Sequence, residues 1–113
     1  MADESAALAP SALAGLADLA ELEACAASAT RLLKLFASEQ RLVLLCRLAE
    51  GESSVGDLAA YLGLAPSAAS QHLAKLRAEG VVDTRRDGHT IYYRVADPAA
   101  LQLLATLREI FRK

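Results

Sequence analysis

Ser54-Val55-Gly56-Asp57-Leu58-Ala59-Ala60-Tyr61-Leu62-Gly63-Leu64-Ala65-Pro66-Ser67-Ala68-Ala69-Ser70-Gln71-His72-Leu73-Ala74-Lys75-Leu76-Arg77 is the stretch on which the fold turns. Val55, Leu58, Ala59 and Leu62 recur at helical steps and predict a short helix. Gly63-Leu64 reads as a tight turn. Pro66 suits the first turn of a second helix, where its missing N–H would be unpaired in any case. That second helix is expected from about Pro66 to Glu79, with Ala69, Leu73 and Leu76 turned inward and Gly80 as its stop. Its other face is polar: Ser67, Ser70, Gln71, His72 and Lys75.

Upstream, Leu19, Leu22, Ala26, Ala29, Leu33 and Phe36 form an apolar stripe and predict a helix from about Leu16 to Phe36. Ser38 reads as the N-cap of a further helix, Arg41 to Glu50, closed by Gly51. Downstream, Val81–Arg86 and Thr90–Val95 are β-prone runs of alternating character, and Asp87-Gly88 between them is a hairpin signal. Asp97 followed by Pro98 opens a last helix with Leu101, Leu104, Leu107 or Arg108, and Phe111 down one side. The expected fold is mainly α with a β-hairpin wing (α+β), in the order α-α-α-α-β-β-α. Residues 1–14, rich in Ala and Ser, are expected to be a flexible segment, and 15–113 to form the domain.

With 113 residues the chain has room for one domain and one modest core. The apolar fraction is 54%, much of it alanine, which favours helices without filling volume. The first basic residue is Arg31 and no apolar run approaches a membrane span, so the expectation is a cytoplasmic protein without a membrane partner. Two cysteines far apart in sequence do not make a secreted disulfide scaffold. Nucleophile motifs, Gly-rich phosphate loops and paired His and carboxylate are all missing, and an enzyme is not expected. No cofactor is expected either.

The net charge of −2 speaks against a nucleic-acid partner until its distribution is considered. Residues 1–30 hold Asp3, Glu4, Asp18, Glu21 and Glu23 and no Lys or Arg, so the remainder of the chain carries +3. Lys75, Arg77, Arg85, Arg86 and Arg94 lie close together in that remainder, and electrostatic footprints for DNA are local. A short helix, a tight turn and a second helix form the helix-turn-helix plan, whose second helix enters the major groove. Gln71 suits bidentate reading of adenine, while Ser67, Ser70 and Lys75 suit phosphates and base edges. His72 has two readings, a DNA contact or a packing residue. In the hairpin Arg85, Arg86, His89 and Arg94 come within reach of a flanking backbone or minor groove, but Arg85 and Arg86 are adjacent and face opposite sides. The competing reading is a solvated surface on a winged-helix protein-interaction module, whose mark would be a polar helix without a basic wing.

Leu32 to Phe111 resembles the ArsR/SmtB family of winged-helix repressors. The resemblance is carried by Ala37-Ser38-Glu39-Gln40-Arg41-Leu42, Ser54-Val55-Gly56-Asp57-Leu58, Ser67 to Arg77, and the wing ending Tyr92-Tyr93-Arg94. It implies a homodimer built from the first and last helices, bound to double-stranded operator DNA and released by a signal. The metal positions that the resemblance implies fall at Ser54 and Gly56, and at Asp97, Ala99, Ile110 and Lys113. Only Asp97 is a ligand type, so no metal is expected.

Cys46 matches one sensing thiol of the persulfide-responsive BigR/SqrR branch, whereas the position of the second is Arg112. Cys25 is the remaining partner. Measured from a corner at Ala37-Ser38, Cys25 lies about 18 Å up one helix and Cys46 about 12 Å along the other. A disulfide needs Cα atoms within about 7 Å, which the crossing of the two helices or pairing across the dimer allows without requiring it. A reactive thiol would draw on a nearby cation, with Arg47 or Arg112 as the candidates. One reading is therefore a repressor released by an oxidant or reactive sulfur species at Cys25 and Cys46. The other is a repressor in which both cysteines are small packed hydrophobes and the inducer is different.

Overall fold

The computed structural model describes residues 19–112. The expected flexible segment 1–14 and the expected helix start at Leu16 lie outside the described residues. Two compact units divide the chain between Leu33 and Lys34.

In the first unit, helix α1 (Leu19–Ala24) is followed by the start of helix α2 (Ala26–Phe36). The single helix expected over this region is interrupted at Cys25. There the N–H is shared between the carbonyls of Glu21 (3.2 Å) and Leu22 (3.0 Å), a local tightening of the turn. The apolar stripe is present, but Leu19, Leu22 and Leu33 are exposed, at 47%, 55% and 56%.

The second unit holds the core. Helix α3 (Glu39–Glu50) begins where Ser38 was expected to cap it, and the Ser38 Oγ accepts from the Arg41 N–H at 3.3 Å. Arg41 in turn donates from Nε to the Leu35 carbonyl (2.8 Å) and from Nη2 to the Lys34 carbonyl (3.0 Å). These carbonyls belong to the last turn of α2, where intrahelical partners run out and a cation is favoured.

A two-residue strand, β1 (Ser53–Ser54), leads into helix α4 (Val55–Leu62), capped by Ser54, whose Oγ accepts from the Asp57 N–H at 3.2 Å. Gly63 ends α4 in the left-handed region, φ +68°, and its N–H returns to the carbonyls of Ala59 and Ala60. Helix α5 (Pro66–Ala78) follows with Pro66 in the first turn.

Strands β2 (Val82–Asp87) and β3 (Thr90–Val95) form the hairpin, and helix α6 (Pro98–Phe111) closes the chain. The Asp97 carboxylate accepts from the Ala99 N–H at 2.9 Å, so the aspartate–proline start expected for α6 is realised. The sheet is antiparallel with order β1-β3-β2, Ser53 pairing with Tyr93 and Ser54 with Tyr92. The described elements therefore add a helix and a short strand to the expected order. The strand escapes sequence reading because two serines have no apolar alternation to detect.

The hairpin register also differs by one residue from the expectation. Asp87 is paired with Thr90, so the loop is Gly88-His89 and not Asp87-Gly88. Gly88 has φ +65°, and no residue other than glycine has positive φ among the described residues. A two-residue loop with glycine first and a normal φ second is the type II′ arrangement, which His89 can occupy without strain.

Leu44, Leu45 and Leu48 of α3, Leu58 and Ala59 of α4, and Ala69, Leu73 and Leu76 of α5 are buried with Val81, Val82, Ala100 and Leu104. Leu35 and Phe36 complete this core. The inward residues expected for α5 are thus buried, and they fix which face of that helix meets solvent.

Candidate nucleic-acid interface

With Ala69, Leu73 and Leu76 buried, α5 turns Ser67, Gln71 and Lys75 outward along one line at four-residue steps. Ser70 and Arg77, seven residues apart, are exposed on its flank. His72 is half-buried on the other flank, a position between its two sequence readings. The start of α5 also differs from its neighbours. Ser38, Ser54 and Asp97 cap α3, α4 and α6 through their side chains, whereas Ala65 at the start of α5 offers none. An uncapped helix start leaves its partial positive charge open to an external acceptor.

The wing arginines behave differently from one another. On one face of the hairpin lie the cross-strand pairs Asp83–Arg94 and Arg85–Tyr92, and on the other Thr84–Tyr93 and Arg86–Ile91. Arg94 Nε donates to Asp83 Oδ1 at 2.6 Å. The Arg85 guanidinium lies over the Tyr92 ring, 4.8 Å from its centre, and donates from Nε to both carboxylate oxygens of Glu52 at 3.1 and 3.2 Å. A second bond runs from Nη2 to Glu52 Oε1, and Asp87 approaches Nη1 at 4.0 Å. The Arg85 bond holds the Glu52 carboxyl below its ordinary range. In return, Glu52 and Asp83 strengthen the protonation of Arg85 and Arg94.

The wing expected to be basic is thus largely self-neutralised: Glu52, Asp83 and Asp87 stand against Arg85, Arg86 and Arg94. Lys75, Arg77 and Arg86 stand in no ion pair among the described residues, and His89 is exposed at the hairpin tip. Sequence reading missed Glu52 because it lies 33 residues from Arg85 and precedes a strand that carries no sequence signal.

Both cysteines are free and exposed. Cys46 lines a groove of about 320 Å³ between α3 and α6 with Ala49, Glu50, Leu101, Leu104, Ala105 and Arg108. Partial burial, and then the nearby Glu50 carboxylate, push the Cys46 thiol above its ordinary range. The expected activation by Arg47 or Arg112 is not realised. The Arg47 guanidinium lies 4.4 Å above the Tyr61 ring and pairs with Glu50 at 3.7 Å, and Arg112 pairs with Glu109 at 3.4 Å. No group of three or more metal-ligating side chains is present among the described residues, and Ser54 is occupied in capping α4.

Among the described residues no helix is long and apolar enough to cross a membrane. Residues 38–84 match the family described as bacterial regulatory protein, arsR family. The chain is 39% identical over 97 residues to the HTH-type transcriptional regulator YgaV of Escherichia coli K12, covering 85% of this chain and 98% of that one. The crystal structure of the transcriptional repressor BigR from Xylella fastidiosa matches with a TM-score of 0.78 at 40% identity, over 82% of this chain and 95% of that one. The homodimeric winged helix-turn-helix DNA-binding domain of Mb0332 from Mycobacterium bovis matches with a TM-score of 0.70 at 33% identity, over 78% and 82%. The helix, left-handed glycine turn and helix over Val55–Ala78, the hairpin behind them and these likenesses lead to one conclusion: the chain belongs to the arsR family of winged-helix transcriptional regulators, whose members bind DNA.

Proposed function

We propose that the protein acts as a homodimer that places two copies of α5 in successive major grooves of an operator. The observation that carries this reading is the outward line Ser67, Gln71 and Lys75 on a helix whose opposite face is locked into the core. Gln71 reads a base edge, Ser67, Ser70 and Lys75 hold phosphates or neighbouring bases, and Arg77, Arg86 and His89 bind the flanking backbone. His72 supports the helix from its half-buried flank and reaches DNA only at its edge. The dimeric reading is supported by the exposed apolar residues Leu19, Leu22 and Leu33 in the first unit and Leu101, Ile110 and Phe111 on α6. It is supported too by the homodimeric description of the Mb0332 domain. In a two-fold dimer the half-sites fall about 34 Å apart.

Electrophoretic mobility shift against DNA from upstream of the protein's own coding sequence tests the reading. A discrete complex lost on Gln71→Ala supports it. Equal affinity for any duplex would overturn operator recognition, and no binding to any duplex at low salt would favour a protein-interaction role.

For the inducer we propose oxidation or persulfidation at the exposed thiols Cys25 and Cys46. The elevated Cys46 thiol weighs toward a response that needs a strong sulfur electrophile. Cys46→Ser that still releases DNA on treatment with a polysulfide donor would sink this switch and leave a different inducer as the signal.

A further inference from the structure

We infer that Glu52 sets the wing's share of DNA affinity: it withholds Arg85 from DNA phosphates and so keeps the wing's sequence-independent attraction for DNA small. This inference rests on the DNA-binding reading above and adds a role for a residue outside the helix-turn-helix contacts.

Three observations carry it. The Glu52 carboxylate takes bonds from both Nε and Nη2 of Arg85, the forked geometry that a phosphate would otherwise occupy. The Tyr92 ring lies beneath the guanidinium, so Arg85 is held across the face of β3 toward β1 and not toward the hairpin tip. Arg94 is similarly held by Asp83, which leaves Arg86 as the wing arginine outside any ion pair among the described residues.

The consequence is electrostatic. Non-specific affinity comes from cations that displace counterions from phosphates, and each phosphate neutralised contributes about 0.9 to the slope of log affinity against log salt. An arginine already paired with a carboxylate displaces none. Glu52 therefore removes one such contact per protomer from every duplex, operator or not. Base reading by α5 is left with a larger share of the total affinity.

The test is a salt titration of the full-length protein on a random-sequence duplex and on the operator, between 50 and 200 mM salt. Arg86→Ala is expected to lower the slope by about 0.9 per protomer, whereas Arg85→Ala leaves it unchanged. Glu52→Gln is expected to steepen the slope by about 0.9 per protomer, which amounts to about a 3.5-fold stronger dependence for each protomer over this range. It also tightens binding to the random duplex and to the operator by the same factor. Glu52→Gln combined with Arg85→Ala is expected to return to the wild-type slope, because the effect runs through Arg85 and not through the lost carboxylate charge. Arg85→Ala lowering the slope as far as Arg86→Ala would overturn the inference, as would a Glu52→Gln slope equal to wild type. Wild-type protein with no salt-dependent binding to either duplex would overturn the DNA-binding reading itself. The substitutions act on exposed or part-exposed side chains of the sheet surface, so folding is preserved and can be checked by circular dichroism.

Discussion

Arg85 reaches over the ring of Tyr92 to the carboxylate of Glu52, so that a residue of the outer hairpin strand is fastened to the segment that leads into α4. The clasp joins the wing to the start of the helix-turn-helix. Its pH dependence follows from the Glu52 carboxyl, which is held below its ordinary range by the Arg85 bond. A carboxyl depressed in the folded state contributes stability that is present above its unfolded value and is lost as pH falls through the folded one. The difference in denaturant midpoint between wild type and Arg85→Ala is expected to be present at pH 7. It should vanish in acid, below the ordinary carboxylate range. A difference that persists unchanged at pH 2 would show that Arg85 stabilises the wing by stacking alone.

Gln71 and Leu73 stand two positions apart on α5 and separate recognition from folding. Leu73 is fully buried, so Leu73→Ala is expected to cost about 2–5 kcal/mol of stability in a denaturant titration. Gln71 is exposed, and Gln71→Ala is expected to leave the melting temperature unchanged while weakening operator binding by about 1–3 kcal/mol. A Gln71→Ala protein with full operator affinity would remove Gln71 from the reading surface.

Gly63 holds the turn between α4 and α5 at φ +68° with open space around it. A side chain there meets no neighbour, so the cost of substitution is backbone strain alone. Gly63→Val is expected to destabilise the protein by about 1–2 kcal/mol or more, and Gly63→Asn by less, since asparagine tolerates the left-handed region. Thermal melts of the two variants check the order.

In a Cys25→Ser background, alkylation of Cys46 by iodoacetamide is expected to rise to half its maximal rate at a pH above that of a free thiol. Burial disfavours the thiolate first and the Glu50 carboxylate second. Glu50→Gln is therefore expected to move the midpoint only part of the way back. A midpoint below the ordinary thiol range would contradict this assignment and restore activation by a cation.

Ile110 and Phe111, near the end of α6, are 64% and 73% exposed in the single chain. Ile110→Glu is expected to leave the fold intact and shift the species measured by light scattering from dimer to monomer, with a parallel loss of operator affinity. Unchanged mass would place the dimer contact elsewhere.

Much of the fold is legible because its signals are local. Ser38, Gly63 and Asp97 mark helix ends through bonds made within four residues of themselves, Pro66 and Pro98 mark helix starts by lacking an N–H where none is needed, and the structure uses each as expected. The buried set Ala69, Leu73 and Leu76 follows from helical period alone, and with it the outward line Ser67, Gln71 and Lys75. The family, too, is written in these segments.

What the sequence could not decide is which cations remain available. Arg85 and Arg86 are neighbours of one type, yet strand alternation sends them to opposite faces, and only the pairing of β1 with β3 brings Glu52 within reach of Arg85. The hairpin register had to settle on Gly88 as its left-handed residue before Asp83 could stand opposite Arg94. Local chemistry determined the helices, their caps and the reading face of α5. Tertiary pairing decided the charge of the wing, because an ion pair depends on where two distant backbones bring their side chains together.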